Sequence, residues 1–172
     1  MTQPSPSAIG TTALSPTLEQ EIAGGALGEN LGSARILLVD DNLQNLELMQ
    51  AYLESLPCTL STARDGIEAI AAVEREKPDL MLLDVMMPRM SGFEVCQKLK
   101  SNPATRDIVI IMVTALHEVG DYERAVESGT DDFLTKPVNK LELVTRVKSL
   151  LRVSLLKRKL DELMARREPG TR

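Results

Sequence analysis

An α/β fold built on a five-stranded parallel sheet is what this sequence predicts, and three observations predict it. Between Ala34 and Leu151, short apolar segments alternate strictly with longer amphipathic ones, five of each. The apolar segments, Ile36–Val39 and Ile108–Val113 above all, are continuous runs, as strands buried on both faces are. Each strand–helix unit takes about 25 residues, so the crossovers are short and right-handed, with helices on both faces of the sheet.

The elements follow in order. Residues 1–33 hold three Pro, five Gly and no Lys or Arg, a composition expected to be flexible. Within them Leu14, Leu18 and Ile22 recur every four residues. The capping-box pattern Thr17-Leu18-Glu19-Gln20 allows a short helix over 17–23, which Gly24-Gly25 would end. Ile36–Val39 is the first strand. Leu46, Met49, Leu53 and Leu56 then repeat at helical spacing until Pro57 stops them. Thr59 to Ala63 reads as a second strand. Asp65, with Glu68 three residues on, opens a second helix that Pro78 ends. Leu80–Leu83 is the third strand, and Ser91 and Glu94 form a capping box for a helix through about Lys100. Ile108 to Val113, β-branched and apolar, is the fourth strand. A helix over 119–128 precedes a short fifth strand at Phe133-Leu134. Asn139 is the natural N-cap of the last helix, which runs past Leu163.

The chain of 172 residues, 43% hydrophobic and 26% charged, thus holds one domain over 34–151, a tail before it and a helical extension over 152–172 after it. The net charge of −5 hides a polarity: residues 1–139 carry −11 and residues 140–172 carry +6. An acidic body repels phosphates and argues against a nucleic-acid binder. The basic extension reads as a solvated helix face, with an acidic partner or nucleic acid as the alternative. Four aromatic residues, none of them Trp, leave little for stacking bases. Cys58 and Cys96 have no metal-ligand spacing and read as two buried thiols of a reducing cytoplasm. No apolar run approaches membrane-spanning length, and the N-terminus has no signal-peptide pattern, so no membrane is expected and the location expected is the cytoplasm.

In an open parallel sheet, ligands gather at the C-terminal ends of the strands. Asp40 and Asp41 follow the first strand, Asp84 the third, Thr114 the fourth and Lys136 the fifth. Three carboxylates so placed repel one another and call for a cation. Mg²⁺, a hard ion that takes one or two carboxylates and keeps several waters, answers that need. Lys136 and Thr114, together with the metal, suit the three oxygens of a phosphoryl group. A carboxylate can itself be the nucleophile, giving an acyl phosphate, and Asp84, alone after the central strand, is the best placed. The sequence has no Gly-rich phosphate loop, so the phosphoryl group would arrive on a small donor or on another protein.

The motifs Val39-Asp40-Asp41, Leu83-Asp84-Val85-Met86-Met87-Pro88, Val113-Thr114-Ala115 and Phe133-Leu134-Thr135-Lys136-Pro137 resemble the receiver domain of bacterial two-component response regulators. The resemblance runs from Arg35 to Leu151, about two-thirds of the chain. It implies a flavodoxin-like, doubly wound sheet of strand order 2-1-3-4-5. It further implies a phosphoprotein of phosphorelay signal transduction in which Asp84 accepts phosphate from a histidine kinase or a histidine phosphotransfer protein. Asp41 and Asp84 would bind Mg²⁺ directly, Asp40 through water, and Met86 through its backbone carbonyl. Thr114 and Lys136 would hold the phosphoryl oxygens, and Lys136–Pro137 is expected to be cis. Phe133 would be the switch aromatic that turns inward when Thr114 moves toward the phosphate, altering the surface of the fourth helix, fifth strand and fifth helix. Such a chain is not an enzyme beyond slow self-dephosphorylation. Met86 and Leu116 stand where chemotaxis relatives carry polar side chains, and apolar groups there cannot position an attacking water. His117, the only His, reads as a loop residue, and Met81, Met86, Met87 and Met90 as packing.

Beyond Leu151, Val153, Leu156, Leu160 and Leu163 keep a/d spacing, which suits a short coiled coil, a homodimer through the last helix, or a stalk to an effector. The look is closest to receivers that precede diguanylate-cyclase or HD-GYP domains. No output domain follows, so the expectation is either a receiver that signals through contacts with a downstream protein effector or the N-terminal piece of a longer regulator with an enzymatic output domain. Two other readings are weaker. A small aspartyl-phosphate phosphatase would want an acid where Met86 stands, and flavin electron transfer would want stacking aromatics.

Overall fold

The computed structural model describes residues 31–115 and 119–166. The helix expected over 17–23, Leu116 and His117 lie outside them. A 3-10 turn at Leu31–Ser33 leads into β1 (Arg35–Val39), α1 (Leu43–Leu53), β2 (Thr59–Ala63), α2 (Gly66–Arg75), β3 (Leu80–Asp84), α3 (Gly92–Ser101), β4 (Val109–Thr114), α4 (Val119–Ser128), β5 (Asp132–Thr135) and α5 (Lys140–Arg166). The strands are parallel and lie in the order β2-β1-β3-β4-β5, the flavodoxin-like order.

Alternation along each strand sends successive side chains to opposite faces, and both faces are core. On one, Leu37, Val39, Met81, Leu83, Ile110 and Met112 meet Ala69 and Val73 of α2, Val95, Cys96 and Leu99 of α3, and Ala125 of α4. On the other, Ile36, Leu38, Leu80, Leu82, Ile111 and Val113 meet Leu46, Met49 and Leu53 of α1 and Leu143, Val147 and Leu151 of α5. The apolar runs are continuous because β1, β3 and β4 are covered twice. β2, at the edge, is buried only at Ala63.

The caps set the entries. Asn42 accepts from the amides of Gln44 and Asn45, Asp65 from Glu68, and Ser91 and Glu94 close the expected capping box. Asn139 Oδ1 accepts from the Glu142 amide, 3.0 Å away. Two details differ from the sequence reading. α1 ends at Leu53, short of Pro57, because the residue before a proline is pushed out of helical geometry and the chain turns instead through the Leu56 amide onto the Leu53 carbonyl. Cys96 is buried, but Cys58 is only half-buried, since it stands beside the sheet edge.

α5 continues well past its last fully buried residue, Leu151. Leu155 still packs against the core, and Arg158 reaches Asp79 at 2.6 Å and Ser33 at 3.3 Å. Asp79 also accepts from the Arg35 amide, so the start of β1 and the extension of α5 share one carboxylate. No helix among the described residues is long and apolar enough to cross a membrane.

Candidate functional site

The loops after β1 and β5 and the last residues of β3 and β4 bring together the groups expected at this sheet edge. Asp40 is fully buried, Asp84 nearly so, and Asp41 is exposed. One carboxylate oxygen from each lies within 4.8 Å of the others. The Lys136 Nζ sits between the two buried acids, 3.0 Å from Asp40 and 3.1 Å from Asp84. Thr114 closes β4 and is buried, and its carbonyl accepts from the Lys136 amide at 2.8 Å, tying the β5 loop to β4. The Lys136–Pro137 peptide is cis.

The backbone that presents Asp84 is tightly held. The Val85 carbonyl accepts from the Gly92 amide at 2.9 Å. A Cβ on Gly92 would lie 2.3 Å from the Asp84 carbonyl oxygen and 2.9 Å from the Val85 Cα, so only glycine lets α3 begin this close to the strand end. The Met86 amide donates to the Asp84 carboxylate, while the Met86 side chain is 63% exposed.

Electrostatics follow from burial and from the mismatch of charges, three carboxylates facing one ammonium. Burial raises the Asp84 pKa above the ordinary carboxylate value, and the Asp40 charge adds to it; Lys136 and the Met86 amide pull the other way without cancelling the rise. Burial works against the Lys136 ammonium, but the hydrogen bond from Lys136 to Asp40 and the charge of Asp84 outweigh it, so its pKa is raised. A site of hard oxygen donors with surplus negative charge fits a divalent cation such as Mg²⁺.

One contributor escaped the sequence reading. Asn45, in the first turn of α1, donates its Nδ2 to both oxygens of Asp40, at 3.2 and 3.1 Å, and the Asn42 amide adds a third bond at 2.9 Å. The signal was present: Asn45 stands at i−4 and i−8 from Met49 and Leu53, a polar residue where the apolar stripe of α1 would continue. Farther along the rim, Arg89, the one non-glycine residue with positive φ among those described (70°), pairs with Asp65 and so ties the β3–α3 loop to the N-cap of α2. Arg64 reaches the Asp41 carbonyl at 3.5 Å.

Phe133 is half-buried on the α4 side, with Tyr122 against it at 4.8 Å in an edge-to-face arrangement. Between Phe133, Tyr122, Thr114, Met112, Val85 and Phe93 only about 10 Å³ is free. Met81 and Met87 are buried and Met90 half-buried, in keeping with packing.

The model for the response regulator receiver domain matches residues 36–148. Response regulator PleD of Caulobacter vibrioides is 49% identical over 140 residues, which cover 81% of this chain and 30% of that protein. The DNA-binding dual master transcriptional regulator RpaA of a Synechocystis strain is 41% identical over 118 residues, 69% of this chain and 49% of that one. The chain therefore spans between 30% and 49% of the length of these curated relatives. Among solved structures, the signal receiver domain of a histidine kinase from Syntrophus aciditrophicus superimposes with a TM-score of 0.66 at 37% identity, over 69% of this chain and 90% of that one.

Proposed function

The chain belongs to the response regulator receiver family, and from that premise we propose that Asp84 accepts a phosphoryl group from the phosphohistidine of a histidine kinase or histidine phosphotransfer protein. The observation that carries this reading is the Lys136 ammonium lodged between Asp84 and Asp40 at the C-terminal edge of the sheet. In the transfer an oxygen of Asp84 forms the new P–O bond, the P–N bond of a donor phosphohistidine protonated on its other ring nitrogen breaks, and the imidazole leaves as the neutral ring, keeping that proton. Asp84 makes fewer hydrogen bonds than Asp40, which leaves an oxygen lone pair available for attack. Asp41 and Asp84, with the Met86 carbonyl and with Asp40 through water, would hold Mg²⁺, which when bound neutralises charge on the transferring group. Lys136 exchanges part of its ion pairing for the new phosphoryl oxygens, and the Thr114 hydroxyl donates to another.

Phosphorylation adds roughly 1.5 to 2 negative charges beside a nearly filled cavity. Movement of Thr114 toward the phosphate makes room for Phe133, and the Tyr122 ring that rests on Phe133 moves with it. The face formed by α4, β5 and α5 is then a changed surface for a downstream protein. The test is incubation of the chain with Mg²⁺ and acetyl phosphate, followed by intact mass. One phosphate gained by the wild type and none by Asp84→Asn supports the reading; no gain, or a gain that survives Asp84→Asn, overturns it.

A further inference from the structure

The far part of α5 carries an apolar stripe that no described residue covers. Val153, Leu156, Leu160 and Met164 are 61%, 42%, 58% and 61% exposed, and Leu163 is half-buried. At 100° per residue these five share one side of the helix. Leu143, Val147, Leu151, Leu155 and Arg158 lie on the other, already packed on the core or pinned to Asp79. The stripe thus faces away from the body and begins where the body ends. Its first residue lies at least thirteen positions along α5 from Lys140, or ~20 Å from the Lys136 end.

The edges of the stripe choose its partner. Arg152, Lys159 and Arg166 recur every seven residues along one edge, and none forms an ion pair with another described residue. Lys157 stands on the other edge. The acids of this stretch, Asp161 and Glu162, fall toward the body, where they line a groove with Lys77, Lys157 and Arg158. Two copies of this helix would meet like against like: in parallel, Arg152 faces Lys157 of the second copy; antiparallel, Lys159 faces its own equivalent and Arg152 faces Arg166. A membrane surface asks for a wide apolar arc. Here the 3-4-3 spacing makes a narrow seam, the width of one helix.

We propose that this seam docks a helix of another protein, one with Leu-like residues at a and d and with Asp or Glu along the edges that meet Arg152, Lys159 and Arg166. The seam is separate from the phosphoryl site, so Asp84→Asn leaves the docking unchanged while it abolishes phosphorylation. The probe is a synthetic three-heptad peptide with Leu at a and d and Glu at e and g, labelled for fluorescence anisotropy and titrated with the full chain. Its counterpart with Lys for Glu, and vesicles of phosphatidylcholine with phosphatidylserine, are the comparisons. The Glu peptide is expected to bind, more weakly as salt rises, and the Lys peptide at least about tenfold more weakly still. Leu156→Ser with Leu160→Ser should cost binding about tenfold or more with the circular dichroism spectrum unchanged, since both side chains are exposed. Arg152→Glu, Lys159→Glu and Arg166→Glu together should reverse the peptide preference. Equal binding of both peptides overturns the proposal. So does binding to vesicles with none to the Glu peptide, or a dimer in sedimentation that Leu156→Ser with Leu160→Ser dissolves.

Discussion

Asp40 and Asp84 share one ammonium yet are not equivalent. Asp40 also receives the Asn42 amide and the Asn45 side chain, so it is the more firmly held of the two and serves as a fixed counter-charge. Among the described residues Asp84 receives only Lys136 and the Met86 amide, and burial with the Asp40 charge holds its pKa up. The residue with the looser bonding is the one we propose as the phosphoryl acceptor. The Met86 side chain stands open to solvent and offers no hydrogen bond to a water. The acyl phosphate is therefore expected to persist for minutes or longer, and Met86→Asn should speed its loss about tenfold by orienting a water for attack. Release of phosphate timed after removal of acetyl phosphate checks both statements; a wild-type lifetime of seconds would contradict them. The acids, Thr114 and Lys136 were legible in the sequence because each ends or follows an apolar run. Asn45 was not, because a lone Asn at the head of a helix reads first as a cap, and only the fold shows that its stripe points at the end of β1.

At the scale of elements, the contact between β3 and the start of α3 is the least forgiving in the site. Gly92→Ala drives a methyl into the backbone of Asp84 and Val85, which cannot rotate away. A cost of about 1–3 kcal/mol in denaturant unfolding is expected, together with slower phosphorylation of Asp84. Next to it, the hydrogen bonds from the Ser91 amide and hydroxyl hold the Glu94 pKa below its ordinary 4.5. A depressed carboxylate contributes stability that is present above the unfolded pKa and is lost as the pH falls through the folded one. Thermal melts from neutral pH downward should thus show the wild type losing ground below about 4.5, and Glu94→Gln should flatten that limb while lowering stability at neutral pH. Helix starts were legible because caps are local chemistry, as Ser91 with Glu94 and Asn139 show. The end of α1 was not, because Pro57 marks where a helix must have stopped and leaves open how much earlier it does.

For the whole molecule, strict alternation of strand and helix is enough to specify a doubly covered sheet, and the two cores divide the apolar residues as the period of a strand requires. What alternation leaves open is where the last helix points once it leaves the core. Leu155, packed on the core, and the Arg158–Asp79 pair answer that, the pair through a contact 79 positions apart in sequence. α5 is one uninterrupted helix of 27 residues, ~40 Å long, clamped at Leu143, Val147 and Leu151 and again at Arg158. Nineteen of its residues, Lys140 to Arg158, run along the body, and the last eight extend beyond that clamp. A tilt of ~5° where α5 follows the Lys136 loop displaces the far end by ~3 Å, so a rearrangement too small to disturb the sheet becomes, at Met164, a step the size of a side chain.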